Sequence, residues 1–149
     1  MLNNYLAWVL SLIQDNYMKF NVRNLTESDY ETLVEWWDWW PGWVAPPKTF
    51  LPETGLMVTK DNKNIAACYY YLTNSQAALI EWVISNPQYR DKDRTEALAT
   101  LIMVAEQVLK NLGVVHVMTM SRHPSLLKIH KELGWTIDPK PSHEIIKNL

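Results

Sequence analysis

The spacing of apolar residues predicts a long helix in the second half of the chain. Apolar side chains recur every three or four positions, at Leu98, Leu101, Ile102, Ala105, Val108 and Leu109. This spacing places them on one face of a helix over residues 95–112. Thr95 suits the N-cap and Gly113 suits the position just after the last turn, so both ends of the helix are marked.

Shorter apolar runs, separated by polar turns, predict strands on both sides of this helix. Before it, in chain order, we expect a strand at residues 20–23, a helix at 27–37 and strands at 56–59, 65–72 and 77–85. After it we expect a strand at 114–120, a helix at 124–133 and short strands at 135–137 and 144–146. Thr26 and Asp29 have the spacing of a capping box. The strand–helix–strand order predicts that strands 77–85 and 114–120 are parallel, splayed neighbours.

The composition is that of one domain without a strong overall charge. A chain of 149 residues can bury a core, and its net charge of −2 gives no general attraction to polyanions. The single cysteine, Cys68, lies in an apolar run, suits the core better than a nucleophilic site, and cannot form a disulfide framework. We therefore expect a reducing, cytoplasmic setting. No apolar run is long enough to span a bilayer, and no metal site is predicted.

The first 17 residues are predicted to form an additional N-terminal helix. Leu2, Leu6, Val9, Leu10 and Ile13 recur at helical spacing, and the segment lacks the basic start of a signal peptide. We therefore divide the chain into an N-terminal helical extension at 1–17 and a main domain at 18–149. An amphipathic helix of this kind needs a surface on which to pack.

A basic loop joins an apolar strand to the long helix, in the segment ALIEWVISNPQYRDKDRTEAL at residues 78–98. Arg90, Lys92 and Arg94 lie in this loop. Because the first N–H groups of a helix have no intrahelical acceptor, and the helix dipole favours negative charge there, this loop could hold a phosphate. The alternative is an ordinary solvated connection with surface charges.

The order of segments resembles that of the GNAT superfamily of N-acetyltransferases. The likeness covers residues 19–149 and is clearest in VISNPQYRDKDRTEALATLI, LGVVHVMTM and HPSLLKIHKELGW, with VRNLTESDYETLVEWW typical of the family's first strand and helix. It implies a mixed, mostly antiparallel central sheet with flanking helices. The runs FLPETG, YLTNS, EWVISNP and YRDKDR resemble members encoded by bacteriophages.

The resemblance implies acetyl-CoA as co-substrate. Main-chain groups of Val83, Ile84 and Ser85 match the strand that binds the pantetheine arm, and the diphosphate would meet the loop formed by Arg90, Asp91, Lys92, Asp93, Arg94 and Thr95. The loop departs from the family motif, because Asp93 and Thr95 replace a glycine and a small residue. Asp93 is expected to bring a negative charge towards the phosphates, offset by the loop's three cations.

Two residues are candidates for proton transfer. His130 stands where the family has a tyrosine that protonates the leaving thiolate, and an imidazole can donate a proton near pH 7. Glu81 is the single acid in the strand ALIEWVI and is a candidate general base, with a bound water as the alternative. Strand alternation puts Glu81 on the face of Val83 and Ser85, opposite Trp82 and Ile84.

Two further features have open readings. His123 matches the family's asparagine at a helix start, and either caps the helix or touches the cofactor. A tryptophan cluster, at Trp36, Trp37, Trp39, Trp40 and Trp43, is suited to an acceptor wall, the core or an interface. Four indoles within five residues cannot all face inwards, so at least one should be exposed.

Two classes of function follow. The first is an N-acetyltransferase that acts on a small-molecule or peptide amine by direct attack on the thioester. The second is a non-catalytic GNAT-fold binding or structural protein, such as a phage-particle component, with a homo-oligomer or virion partner bound through the N-terminal helix and the tryptophan cluster. No nucleic-acid partner is expected, because the aromatic residues are not interleaved with enough basic ones. No membrane partner is expected either, because no apolar run is long enough to span a bilayer.

Overall fold

The computed structural model describes residues 19–149, and its centre is a five-stranded sheet. The strands are β1 (Asn21–Asn24), β2 (Gly55–Lys60), β3 (Lys63–Leu72), β4 (Ala77–Ser85) and β5 (His116–Met118). They lie in the order β1-β2-β3-β4-β5, antiparallel up to β4, and β5 pairs parallel to β4. This confirms the mixed, mostly antiparallel sheet and the parallel pair predicted from the sequence.

Two helices pack on the sheet. α1 spans Asp29–Trp39 and α2 spans Arg94–Asn111, with a short 3₁₀ turn at Lys48–Phe50 between α1 and β2. α1 buries Leu33, Trp36 and Trp37 against sheet residues of one face, which are Met57, Ala67, Tyr69 and Ile84. Strand alternation turns the neighbouring positions towards the other face, and α2 contacts β2 and β3. Its apolar stripe is buried as the periodicity predicts.

The start of α1 is fixed by a buried carboxylate. Asp29 accepts two hydrogen bonds of 2.8 Å from the Arg23 guanidinium and one of 2.8 Å from the backbone N–H of Thr26. The Arg23 hydrogen bonds lower the pKa of Asp29 to about 2. Only the Asp29 half of the predicted capping box forms, and the helix begins at Asp29 rather than at residue 27.

The hairpin between β2 and β3 has a tight turn. Asp61 and Asn62 adopt positive φ angles of 49° and 62°, which short polar side chains tolerate better than other non-glycine residues. Lys60 and Lys63 then face each other as the last pair of the ladder. Lys60 therefore lies at the tip of a well-defined hairpin.

Residues 120–149 form a second compact unit, and the first ends at Thr119. The second unit contains helix α3 (Pro124–Glu132) and an irregular segment from residue 133 onwards. The strands predicted at 135–137 and 144–146 are wrong. Pro139 and Pro141 each lack an N–H, and a three-residue run is stable as a strand only when a neighbouring strand pairs with it.

The predicted N-terminal helix at 1–17 lies outside the described residues. Within residues 19–149, no helix is both long and apolar enough to cross a membrane.

Candidate active site

Strands β4 and β5 begin side by side and then separate. Their parallel pairing covers Ala77 to Leu79 of β4 and His116 to Met118 of β5. β4 continues to Ser85 and stays paired with β3 on its other side. Over Ile80–Ser85 the β5 side of the strand has no ladder partner among residues 19–149. Val83, Ile84 and Ser85, predicted to bind pantetheine, lie in this open section.

A β-bulge interrupts β4 within the open section. Tyr69 faces Glu81 and Ala67 faces Ile84, so Trp82 and Val83 together oppose the single residue between Ala67 and Tyr69. Trp82 has a φ of 59°, which is rare and strained for a bulky side chain. The bulge shifts the alternation by one residue, so Glu81 shares a face with Ile84. The predicted grouping of Glu81 with Val83 and Ser85 opposite Trp82 and Ile84 is wrong for this reason.

Aromatic contacts hold the bulge in place. The Trp82 ring lies edge-on to Trp37 and Phe50, with centroid separations of 6.4 and 5.5 Å. Its Nε1–H donates to the Tyr71 hydroxyl at 2.7 Å, and that hydroxyl donates to the Phe50 carbonyl at 2.8 Å. These contacts stabilise the strained backbone conformation of Trp82.

Glu81 lies on the α1 face of the sheet, beside this aromatic group. It is opposite Tyr69 on β3 and is partly buried. Tyr71 lies two positions along β3 from Tyr69 and so faces the same side of the sheet as Glu81. Burial raises the pKa of Tyr71, and the negative charge of Glu81 acts in the same direction. The structure therefore brings Glu81 together with Trp82 and Tyr71 next to the open part of β4.

The loop after β4 carries two arginines that no acidic side chain of the described residues neutralises. Within residues 19–149, no carboxylate lies within 4.0 Å of the Arg90 or Arg94 guanidinium. Burial lowers the pKa of Arg94, and the positive charge of Arg90 lowers it further. The Arg90 guanidinium also lies 5.3 Å from the centroid of Trp39. Two close, unneutralised cations favour a bound anion. Asp91 and Lys92 are exposed beside them.

The first turn of α2 opens onto the same loop. Ala97 is the first residue whose N–H bonds within the helix, to the Asp93 carbonyl at 2.9 Å. The N–H groups of Thr95 and Glu96 precede it and belong to the part of a helix that lacks intrahelical acceptors. The N-cap is Asp93 rather than the predicted Thr95, and its side chain makes no capping hydrogen bond.

The Asp93 carboxylate points away from that first turn. It accepts hydrogen bonds from Lys60 Nζ at 2.7 Å and from the Tyr89 hydroxyl at 2.8 Å, and Lys19 Nζ is 3.7 Å away. The Lys60 hydrogen bond holds the pKa of Asp93 below its ordinary value, and Tyr89 acts in the same direction. The Asp93 carboxylate, expected to bring its charge towards the phosphates, is instead bound by Lys60 and Tyr89.

Sequence reasoning missed Lys60, Tyr89 and Asn86. Tyr89 is buried, and Asn86 Nδ2 donates to the Asn64 carbonyl at 2.9 Å, which ties the loop to the β2–β3 hairpin. Asp93 itself was the signal that could have found them, because an acid where the GNAT motif has glycine needs a cation or a hydrogen-bond donor. Lys60, on a hairpin distant in sequence, supplies that cation.

The tryptophan cluster contains both buried and exposed rings, as its spacing requires. Trp36 and Trp37 are in the core, whereas Trp39 is 50% exposed on the same helix. Trp40 lies edge-on to Trp39, with 4.7 Å between ring centroids, and Trp43 is exposed beyond the helix end. The prediction that at least one ring is exposed is confirmed.

In the second unit, His130 is buried and lies edge-on to Trp135, with 4.8 Å between ring centroids. Its Nδ1 is 2.8 Å from the Leu126 carbonyl, so Nδ1 carries the proton. Nε2 is buried and has no hydrogen-bond partner within residues 19–149. Burial lowers the pKa of His130, so its imidazole is neutral at pH 7.

His123 occupies the N-cap position of α3, but its side chain does not cap the helix. Its Nδ1 lies 2.7 Å from the Ser125 hydroxyl instead. The side-chain capping role considered for His123 is therefore not found.

The sequence matches no protein-family model and no curated protein sequence. The structure, in contrast, is similar to solved acetyltransferases. An aminoglycoside acetyltransferase from an uncultured soil metagenomic sample, solved in complexes with trehalose and with sisomicin, aligns with a TM-score of 0.64 at 13% identity. That alignment covers 87% of this chain and 97% of the other. The fold is that of the GNAT acetyltransferases.

Two further structures support this assignment of the fold. The ribosomal-protein-S18-alanine N-acetyltransferase of Escherichia coli aligns with a TM-score of 0.63 at 16% identity, covering 77% of this chain and 76% of that one. The enzyme AAC(6′)-Iy, solved with the bisubstrate analogue CoA-S-monomethyl-acetylneamine, aligns with a TM-score of 0.59 at 16% identity and coverages of 87% and 99%. At such identities the likeness establishes the GNAT fold alone.

Proposed function

We propose that the protein is an N-acetyltransferase that transfers an acetyl group from acetyl-CoA to a primary amine by direct attack. The observation that carries the proposal is the pair Arg90 and Arg94, which no carboxylate of residues 19–149 neutralises, beside the uncapped first turn of α2. This cationic loop directly follows a strand whose open edge suits an extended, amide-bearing ligand. The GNAT fold brings the two together in one chain.

The residues present fit acetyl-CoA at both ends. Main-chain groups of Val83, Ile84 and Ser85 would pair with the amides of the pantetheine arm, as an added strand does. The N–H groups of the α2 first turn, with Arg90 and Arg94, would hold the diphosphate through charge-assisted hydrogen bonds. Lys92 is exposed in the same loop and adds positive charge.

The chemical step removes two protons from the acceptor nitrogen and gives one to the leaving sulfur. The Glu81 carboxylate takes a proton from the ammonium of the acceptor, and the free amine then attacks the thioester carbonyl carbon. The attacking nitrogen loses its second proton to water as the C–S bond breaks and the amide forms, and the CoA thiolate leaves and takes up a proton. Neither oxidant nor reductant is required.

A small-molecule or peptide amine is the proposed acceptor. Of the structural neighbours, one is named for aminoglycosides and was solved with sisomicin, and another is named for an alanine of ribosomal protein S18. The carboxylate of Glu81 beside the aromatic rings of Trp82 and Tyr71 suits a cationic acceptor, because aromatic faces and carboxylates both attract ammonium groups.

Substitution of Arg94 tests cofactor binding. Arg94→Ala should weaken acetyl-CoA binding by about 1–2 kcal/mol, the scale of a charge-assisted contact to phosphate. Arg90→Ala should have a similar effect. Isothermal titration calorimetry measures both, with Lys110→Ala as control, because Lys110 is an exposed cation at the opposite end of the same helix.

Two results would count against the proposal. Equal affinity in the parent and in both arginine variants would show that the loop does not hold the diphosphate. A parent chain that neither binds acetyl-CoA nor acetylates any amine would leave the non-catalytic GNAT-fold protein as the function.

His130 is the proposed source of the proton for the thiolate, and the form of its imidazole sets the pH range of that role. Because Nδ1–H bonds to Leu126, Nε2 can donate only when the ring is cationic, below a pKa that lies under 6.5. His130→Ala should therefore lower turnover most at low pH and progressively less as the pH rises. The ratio of parent to variant turnover from pH 6 to 9 measures this. A ratio that does not change with pH would remove His130 from the chemistry.

A further inference from the structure

Asp93 is a strong N-cap residue that does not cap its helix. Aspartate is among the side chains preferred at the N-cap, where its oxygen normally accepts hydrogen bonds from first-turn N–H groups. Here Asp93 has φ −88° and ψ 8°, outside the extended region that capping requires, and its side chain makes no capping bond. Both carboxylate oxygens bond elsewhere, one to Lys60 at 2.7 Å and the other to Tyr89 at 2.8 Å.

The direction of this carboxylate determines what the first turn of α2 can bind. A carboxylate that capped the turn would occupy the N–H groups there and place a negative charge where the diphosphate binds. Held by Lys60 and Tyr89, it leaves those N–H groups available. Lys19 adds a second cation 3.7 Å from the carboxylate and also contacts Glu96 at 3.0 Å.

We propose, on the basis of the function given above, that Lys60 and Tyr89 are positioning residues of the cofactor site. They hold the Asp93 carboxylate away from the first turn of α2 and so keep that turn open to the diphosphate of acetyl-CoA. Neither residue needs to contact the cofactor.

The β2–β3 hairpin holds both ends of the loop. Lys60, at the tip of the hairpin, binds Asp93 at the loop's last position, and the carbonyl of Asn64 accepts a hydrogen bond from Asn86 at its first. Asn86 also orders the loop, because its side-chain oxygen accepts the Gln88 N–H at 2.9 Å. The hairpin and the Asn86 side chain thus order the loop from both ends.

The test is a set of Lys60 and Asp93 variants titrated with acetyl-CoA by calorimetry. Lys60→Met should weaken binding about tenfold or more, since a released aspartate cap contributes on the order of 0.5–2 kcal/mol to the turn it occupies. Adding Asp93→Gly to Lys60→Met should restore affinity to within about threefold of the parent, because glycine is tolerated at the N-cap and has no carboxylate to compete. Adding Asp93→Asn instead should restore much less, because asparagine caps about as well as aspartate.

The comparison of asparagine with glycine separates capping from simple charge. If both double variants recover equally, the effect is electrostatic and the positioning role is wrong. If Lys60→Met binds acetyl-CoA as the parent does, the proposal also fails. A parent that does not bind acetyl-CoA at all overturns the proposed function instead.

Two more variants keep the test valid if Lys60→Met does not fold. Tyr89→Phe removes one hydrogen bond from Asp93 and should weaken binding about threefold, with Asp93→Gly restoring it. Lys60→Arg keeps the ion pair and should bind like the parent. Lys63→Met is the matched control, since Lys63 is an exposed lysine on the same hairpin. Unchanged affinity in Tyr89→Phe overturns the proposal.

Discussion

Glu81→Gln is expected to lower turnover at least ~10²-fold while leaving acetyl-CoA affinity nearly unchanged, the size typical for loss of a positioned general base. The glutamine keeps the volume and hydrogen-bonding shape of the side chain but cannot take a proton from the acceptor ammonium. Glu81→Asp should retain part of the activity. Turnover is measured by release of free CoA thiol with a panel of primary amines at saturating acetyl-CoA.

The expectation rests on where the bulge puts Glu81. With regular alternation Glu81 and Ile84 would face opposite sides of the sheet, yet in the structure both share the α1 face with Tyr69 and Ala67. The carboxylate therefore lies beside Trp82 and Tyr71, next to the section of β4 that β5 leaves open. On the proposed function, this is the section of β4 that would bind the pantetheine arm.

Glu35→Gln is the matched control for Glu81→Gln. Glu35 is an exposed acid on α1, and its substitution by glutamine removes the same charge. It should leave turnover unchanged within about twofold, as an exposed surface substitution does. Parent-like turnover in Glu81→Gln would show that Glu81 does not remove the proton from the acceptor ammonium. Water would then be the base.

The parts of the fold that depend on local periodicity could be predicted from the sequence. The apolar stripe of α2 and its terminating Gly113 gave the helix to within one residue at each end. β4 was bounded correctly by the polar turn before Ala77 and by Asn86 and Pro87 after it. Helical and strand periods are intrinsic to the chain, so they can be recognised before any tertiary contact is known.

The bulge at Trp82 could not be predicted, and it changes the candidate site most. A bulge is a mismatch between two strands, and whether Trp82 and Val83 share one partner depends on how β3 is paired with β4. The sequence of β4 alone alternates without a visible break. A tryptophan with positive φ is stable only because Trp37, Phe50 and Tyr71 surround its ring.

The orientation of Asp93 was also beyond local reasoning, for a different reason. Its partner Lys60 is 33 positions earlier in the chain, at the tip of a hairpin whose position relative to the loop is a tertiary property. The sequence showed that an acid replaces a glycine, and the structure shows that this acid is bound to a lysine and a tyrosine rather than to solvent. The strands predicted at 135–137 and 144–146 also depended on tertiary pairing, and within residues 19–149 neither segment is paired with a strand.

Trp37→Ala is expected to cost about 3–5 kcal/mol of unfolding free energy, the range for truncating a large buried aromatic side chain. Trp37 is 1% exposed, packs in the core with Leu33 and Met57, and supports the Trp82 ring edge-on. Urea unfolding followed by circular dichroism at 222 nm measures the loss. Because Trp82 loses its support, turnover should fall in any fraction of the variant that remains folded.

Trp37→Phe and Trp39→Ala make the result specific. The Trp37 Nε1–H is buried and has no hydrogen-bond partner within residues 19–149, so phenylalanine removes an unsatisfied donor while keeping a ring against Trp82. Trp37→Phe should lower the unfolding free energy by less than half as much as Trp37→Ala, because leaving a buried donor unsatisfied itself costs roughly 1–3 kcal/mol. Trp39→Ala, on the exposed side of the same helix, should cost no more than about 1 kcal/mol, the scale of its contact with Arg90. Equal losses in Trp37→Phe and Trp37→Ala would show that the indole N–H, rather than ring volume, stabilises the core beneath the bulge.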